Sequence, residues 1–313
     1  MARKKKGNKI DGWLNINKPY DVTSTDVVRI LKRILKPQKI GHAGTLDPLA
    51  TGILPIALGE ATKTIPFIQD AEKIYGFTAR WGEQRSTDDL EGDVIAESDA
   101  RPSRADIEAL LPQFIGTVTQ TPPKFSAIKI NGERAYDLAR DGEDFEVPSR
   151  EVEIYDLKII SHSDDETAFE VCCGKGTYVR AIARDIGAAL GCYGYVSALN
   201  RKKVGCFGLE DAFLLDISPE MDNSAALEEA ILPLHYALDD IPAVNVNDQE
   251  ASRLKQGQSL SLISKPDIQR LTACGLDVMS SDIQDAVAMY QGKALALLEV
   301  DRVNLKPYRV FNM

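Results

Sequence analysis

The stretch Gly41-His42-Ala43-Gly44-Thr45-Leu46-Asp47-Pro48-Leu49-Ala50-Thr51-Gly52 constrains this chain more than any other, because its glycines and proline interrupt both helix and strand. Glycines at 41, 44 and 52 allow backbone conformations barred to other residues and let a ligand approach the main chain. Pro48 fixes the backbone just after Asp47. The segment is therefore a loop that presents one carboxylate among short apolar residues. An isolated Asp-Pro step also serves simply to close a turn, so Asp47 has a structural reading beside a chemical one.

Around this loop the hydrophobic pattern switches between two periods. Ile10 to Asn17 reads as a strand, and Ser24 then caps a helix in which Val27, Leu31, Ile34 and Leu35 recur at helical spacing until Pro37. From Tyr75 to Trp81 alternate residues face opposite sides of a strand, so Tyr75 shares an apolar face with Phe77 and Trp81. Ser103 and Asp106 form the capping pattern of a short helix carrying Ile107, Leu110 and Leu111. Residues 120–150 hold Pro122, Pro123 and Pro148, few large apolar residues and many charges, which predicts an extended surface excursion. Phe169 to Cys173 alternates as a strand and Gly174 to Gly176 turns the chain. Val179, Ile182, Ala183, Ile186 and Leu190 then form one helical stripe ending at Gly191, with Arg180 off it.

A boundary falls near Asp239 to Pro242. Beyond it Val244 and Val246 suggest a strand, Asn247 and Glu250 a helix cap, and residues 286–300 a hairpin turning at Gln291-Gly292-Lys293. The organisation read from these signals is a basic tail over 1–9, expected to be disordered, a large domain over 10–239, and a small strand-rich domain over 240–313.

Length and charge narrow the class. A chain of 313 residues with 44% hydrophobic content fills a large core. No apolar run approaches the roughly 18 residues that span a bilayer, and nothing hydrophobic follows the basic start, so a cytoplasmic protein is expected. Five cysteines without a Cys-x-x-Cys pair argue against a disulfide framework or a zinc site, and three histidines show no ligand spacing. The net charge of -10 sits awkwardly with nucleic-acid binding. Its distribution is uneven, however: Arg3, Lys4, Lys5, Lys6 and Lys9 crowd the start, five more basic residues lie between Arg29 and Lys39, and Arg201, Lys202 and Lys203 adjoin. Acid collects from Asp88 to Asp99 and from Glu210 to Glu250.

Further motifs accompany the loop in a fixed order. They are Asn17-Lys18-Pro19 before it, then Ala61-Thr62-Lys63, Lys73-Ile74-Tyr75, Pro123-Lys124-Phe125-Ser126-Ala127-Ile128-Lys129 with Gly132, and Gly174-Lys175-Gly176-Thr177-Tyr178-Val179-Arg180. Together with the Gly41 to Gly52 string they resemble the TruB family of tRNA pseudouridine synthases, firmly over about residues 10 to 210 and loosely beyond. The resemblance implies an α+β fold: a mixed, largely antiparallel catalytic sheet, an RNA-clamping insertion near 120–150, and a PUA-like C-terminal domain. It also implies conversion of uridine to pseudouridine at position 55 in the TΨC loop of tRNA, with no cofactor and no metal.

The reaction explains the residues. A nucleophile must attack either the base or the ribose, and Asp47 is the candidate. Arg180 beside it should depress its pKa and fix it through two parallel hydrogen bonds. The uridine must be flipped from its stack, so Tyr75 is the expected stacking partner and, as the resemblance implies, a candidate for transfer of the C5 proton, although its pattern alone favours a core tyrosine. The resemblance further implies that Tyr178 touches the base, that Leu199 walls the pocket, and that His42 helps fill the gap left by the flipped base. Lys18 and Lys63 either meet phosphates or brace the loop. Asn200 departs from the family pattern, which commonly has an arginine there.

Two alternatives share these motifs: an RNA-folding chaperone whose chemistry is secondary, and a guide-RNA-dependent catalytic subunit. The short C-terminal part favours a stand-alone monomeric enzyme whose partner is tRNA, with no guide RNA. A carboxylate glycosidase would need a second acid in a comparable loop, and the sequence offers none.

Overall fold

The strand Gly12–Lys18 is buried along nearly its whole length, which an apolar-rich segment can be only in the middle of a sheet. A computed structural model, which describes residues 7–126, 128–130, 132–216 and 224–312, places it so. From Phe213–Leu214 the sheet runs through Gly12–Lys18, Thr51–Leu58, Gly194–Val204, Lys73–Trp81, Glu166–Cys173 and Arg150–His162 to Gly116–Gln120. Two short strands, Ile40–His42 and Phe207–Gly208, pair off this path. Gly12–Lys18 with Phe213–Leu214 and Thr51–Leu58 with Gly194–Val204 are parallel pairs, and the others are antiparallel. This is the mixed, largely antiparallel sheet expected.

One row across the sheet gathers residues far apart in sequence. Lys18 pairs with Gly52, Gly52 with Arg201, and Arg201 with Tyr75, so the four stand side by side on four strands. Gly52 is indispensable there. Its φ is +102°, and a β-carbon would lie 2.2 Å from the Arg201 carbonyl oxygen.

Two apolar cores flank the site. In one, Phe77 stacks on Phe169 with centroids 5.0 Å apart, and the helix Val179–Ala189 adds Ile182 and Ile186. In the other, Val27, Leu31 and Leu35 of the helix Ser24–Leu35 pack against Leu14 and Ile16. The cap of that helix differs from expectation. Thr23, not Ser24, accepts from the Asp26 amide in a reciprocal capping box, which frees the Ser24 hydroxyl for another task.

Residues 121–149 leave and re-enter at one edge of the sheet, because Gln120 pairs with Arg150. Among the described residues they form the short strands Lys129–Ile130 and Glu133–Arg134 and the helix Ala135–Arg140. The basic start lies mostly outside the described residues. Asn8, expected to be disordered, instead donates its amide to the Lys36 carbonyl at 2.7 Å.

The C-terminal segment forms a five-stranded sheet in the order Ala243–Asn245, Gln284–Tyr290, Lys293–Asp301, Asn304–Val310, Leu260–Ser261. Its middle strands are buried on both faces. Ala288, Leu298 and Val300 face the domain's own core, whereas Val287, Leu297 and Phe311 pack with Trp13, Ile53 and Phe207 of the large domain. The hairpin turns on Gln291 and Gly292, both with positive φ, and Lys293 already belongs to the next strand. Among the described residues no helix is long and apolar enough to cross a membrane.

Candidate active site

The loop between Ile40–His42 and Thr51–Leu58 joins two strands that pair with each other, so residues 43–50 project from one end of the sheet. Three buried polar side chains hold it there. The Ser24 hydroxyl accepts from the Leu46 amide at 2.9 Å and donates to the Leu46 carbonyl at 3.0 Å, clamping the residue before Asp47. Lys18, fully buried, donates to the carbonyls of Val22 at 2.6 Å, Pro19 at 2.9 Å and Pro48 at 3.0 Å. Arg201, also buried, donates to the carbonyls of Ile53 at 2.7 Å and Gly44 at 3.0 Å. Backbone carbonyls inside a protein demand donors, and here cations from two other strands supply them.

Asp47 keeps 36% of its side chain open to a cleft. Arg180, from the first turn of its helix, reaches it with Nε 3.0 Å from Oδ2 and donates from Nη2 to Oδ1 at 3.2 Å. The same guanidinium pairs with Asp89 through Nη1 at 3.1 Å and donates to the carbonyls of Thr87 at 2.8 Å and Phe125 at 3.0 Å. Arg180 is thus shared between two carboxylates, and it lies off the apolar stripe yet buried because the loop covers it. Burial pushes the Asp47 carboxyl above its ordinary value, Arg180 and Lys18 oppose that, and Asp89 adds to it. The net direction is upward, opposite to the depression that a simple Arg-Asp pair predicts, since the arginine's charge is divided between two carboxylates and the surrounding protein replaces much of the water around Asp47.

Asp89 brings a second carboxylate to the site, though not from a loop comparable to that of Asp47. It comes from the acidic run after Asp88, is almost fully buried, and accepts from the Thr87 hydroxyl and the Glu91 amide at 3.0 Å. Its charge is committed to Arg180 rather than free for acid catalysis.

The cleft has a volume of about 590 Å³. Tyr75, Tyr178, Leu199 and Ser126 line it with Asp47 and Arg180, so the structure brings together the expected nucleophile, its arginine and the three expected base contacts. Tyr75 packs between both cores, and burial raises its hydroxyl pKa, with Arg201 opposing. Tyr178 lies under Arg150, whose guanidinium carbon is 5.3 Å from the ring centroid. Gln120 holds the Tyr178 backbone at both ends, accepting from its amide at 2.7 Å and donating to its carbonyl at 3.1 Å. Ser126 has a buried hydroxyl with no partner. Among the described residues no cluster of His, Cys, Asp or Glu is arranged to hold a metal ion.

Three expected residues lie elsewhere. Lys18 sits behind the loop with its ammonium committed to carbonyls and its pKa pushed down to about 8 by burial, so it braces rather than meets substrate. Lys63 pairs with Glu60 and donates to the Val310 carbonyl at 2.8 Å, joining the large domain to the last strand. His42 stands in the strand Ile40–His42 outside the cleft lining, its pKa lowered by burial and Arg201. Asn200 donates to the Thr51 hydroxyl at 2.8 Å, tying the end of the loop to the adjacent strand. Arg201, Asp89 and Ser24 carry no sequence signal as site residues. Only their place beside the loop in three dimensions reveals them.

The family models that match the chain are the TruB family pseudouridylate synthase N-terminal domain over residues 32–179 and the tRNA pseudouridylate synthase B C-terminal domain over 180–239. A protein of Caulobacter vibrioides named tRNA pseudouridine synthase B is 50% identical, with all of both chains covered. One of the same name from Sinorhizobium medicae is 48% identical, covering 99% of this chain and 98% of that protein. Among solved structures, a chain of an H/ACA ribonucleoprotein bound to a substrate RNA containing 2′-deoxyuridine has a TM-score of 0.71 at 21% identity, covering 100% of this chain and 92% of that one. A chain of an archaeal box H/ACA complex gives 0.69 at 22% identity over 96% and 85%. The last two show a shared fold, and the full-length relatives and family models show more: this chain belongs to the TruB family of tRNA pseudouridine synthases.

Proposed function

We propose that the chain isomerises uridine 55 in the TΨC loop of tRNA, as a stand-alone monomeric enzyme without guide RNA or cofactor. The observation that carries this reading is Asp47, exposed at the base of a cleft and gripped by Arg180 on a loop braced from three sides. The reaction breaks the bond from N1 to the ribose, turns the base over and joins the ribose to C5. N1 takes up a proton and C5 releases one, so no electrons enter or leave.

A cleft of about 590 Å³ suits a flipped nucleotide. Tyr75 offers its ring as the stacking platform. Burial keeps its hydroxyl protonated, which favours stacking over action as a free base. Leu199 forms the apolar wall, and Tyr178 borders the base's neighbours. Asp47 attacks as the carboxylate, and Arg180 supplies the opposing charge and the orientation that keep it ready. The insertion over 121–149 reaches the same place from the sheet edge, since the Phe125 carbonyl rests on Arg180, and there it closes on the RNA. The PUA-like C-terminal domain holds the stem.

The test uses unmodified tRNA tritiated at C5 of uridine, with neither metal nor guide RNA added. Release of one equivalent of tritium per tRNA is expected. Asp47→Asn should lower the rate on the order of ten-thousandfold or more while tRNA binding persists. Equal loss of binding and turnover would remove Asp47 from its role. Binding with no release by the unaltered protein would point to a chaperone or a guide-dependent subunit.

A further inference from the structure

The strands Lys73–Trp81 and Glu166–Cys173 end side by side, with Lys73 paired to Cys173. Just past that end, Lys175 in the glycine turn donates from Nζ to Asp70 Oδ1 at 2.8 Å, and both residues line the Asp47 cleft. Their side chains remain 71% and 59% exposed, so the pair is held weakly and exchanges partners readily. The Asp70 carboxylate does nothing for its own helix, Ile65–Asp70. It stands in the last turn, where carbonyls already concentrate negative potential. Two carbonyls there, of Gln69 and Ala71, are taken by the Lys73 ammonium. Beside Lys175, Arg150 donates to the Gly176 carbonyl, keeps a buried Nε with no hydrogen-bond partner, and covers the Tyr178 ring. An exposed carboxylate is thus paired with a cation at the rim of a cleft that Asp47 and Glu151 also line, in a chain of net charge -10.

We infer that Lys175 and Arg150 form a docking point for a backbone phosphate of the RNA at the cleft, and that Asp70 occupies Lys175 in the free protein as an internal substitute for that phosphate. The inference rests on the proposed RNA-modifying activity. Binding exchanges one anion for another at Lys175, so part of the gain from that contact is offset by freeing Asp70. The carboxylate then discriminates against weak anions, because only a multivalent RNA, anchored elsewhere, displaces it.

The sign of this effect is the opposite of what loss of an ordinary surface ion pair would produce. In the Asp47→Asn background, which binds without turnover, Asp70→Asn should tighten unmodified tRNA by roughly two- to fivefold at low salt. It should also steepen the fall of log affinity with log salt by somewhat less than one unit. Lys175→Gln should weaken binding and flatten that slope, and the double variant should match Lys175→Gln alone. Weaker or unchanged binding by Asp70→Asn would overturn the inference, as would a gain that persists in the Lys175→Gln background. Absence of tRNA binding by the Asp47→Asn parent would instead overturn the RNA-modifying activity on which it stands.

Discussion

The Asp47 loop and the C-terminal sheet are both ordered, but by different means. The loop buries Ala43, Leu46 and Ala50 in the adjoining cores, and its backbone is held by buried cations donating to its carbonyls: Lys18 from one strand, Arg201 from another, with Ser24 from a helix. The C-terminal sheet relies on alternation. Ala288, Leu298 and Val300 point inward, Val287 and Leu297 point to the large domain, and the polar groups serve local caps. An apolar core tolerates neighbours of many shapes. A set of carbonyls around one guanidinium tolerates only that geometry, which is what the proposed nucleophile needs. Rigidity at the site comes from polar groups that are costly to bury, and rigidity in the small domain comes from area removed from water.

The sharpest way to break this contrast is at Arg201. Arg201→Met leaves the Ile53 and Gly44 carbonyls without donors and should cost about 3 kcal/mol or more in stability, read from urea unfolding, and turnover per folded molecule should fall with it. Leu298→Ala in the small domain should cost about 2 to 5 kcal/mol through a cavity, with kcat of the folded protein retained. A matching drop in kcat would show that the two regions are coupled more tightly than their packing implies.

Protonation probes the loop without mutation. Burial raises Asp47, so its protonated form, which the proposed mechanism makes inactive, persists to higher pH than for an ordinary carboxylate. On the acid side kcat/KM should therefore climb about tenfold per pH unit, with a midpoint above the usual value near 3.9. A midpoint at or below that value would mean that Arg180 outweighs burial. The smallest effect is expected at the cap Asn247, which accepts from the Glu250 amide at 2.9 Å: Asn247→Ala should cost about 1 kcal/mol and leave the pH midpoint of Asp47 where it was.

Legibility in the sequence divides along the same line. The capping boxes at Ser103 and Asn247, the alternation from Tyr75 to Trp81, the stripe from Val179 to Leu190 and the turn at Gln291-Gly292 are local, and each is legible because neighbours in the chain are neighbours in space. The departures are nonlocal. Ser24 reads as a cap, but Thr23 serves and Ser24 grips Leu46. Lys18 and Lys63 read as either phosphate ligands or braces of the loop, and only the fold shows Lys18 ending on the Pro48 carbonyl as a brace and Lys63 on the Val310 carbonyl of the last strand. Asp89 reads only as part of an acidic run, yet it shares Arg180 with Asp47.

By itself the sequence determined the locally patterned elements, the loop that carries Asp47 and, through its ordered motifs, the family, but not the strands Thr51–Leu58, Gly194–Val204 and Arg150–His162. The tertiary structure decided which charges are buried together, because strand register alone sets Lys18, Gly52, Arg201 and Tyr75 in one row. A lysine or arginine reads the same in sequence whether water or a carbonyl waits at its tip. Only the packed fold fixes the dielectric around it and the partners within reach, and those two quantities set its protonation and its role.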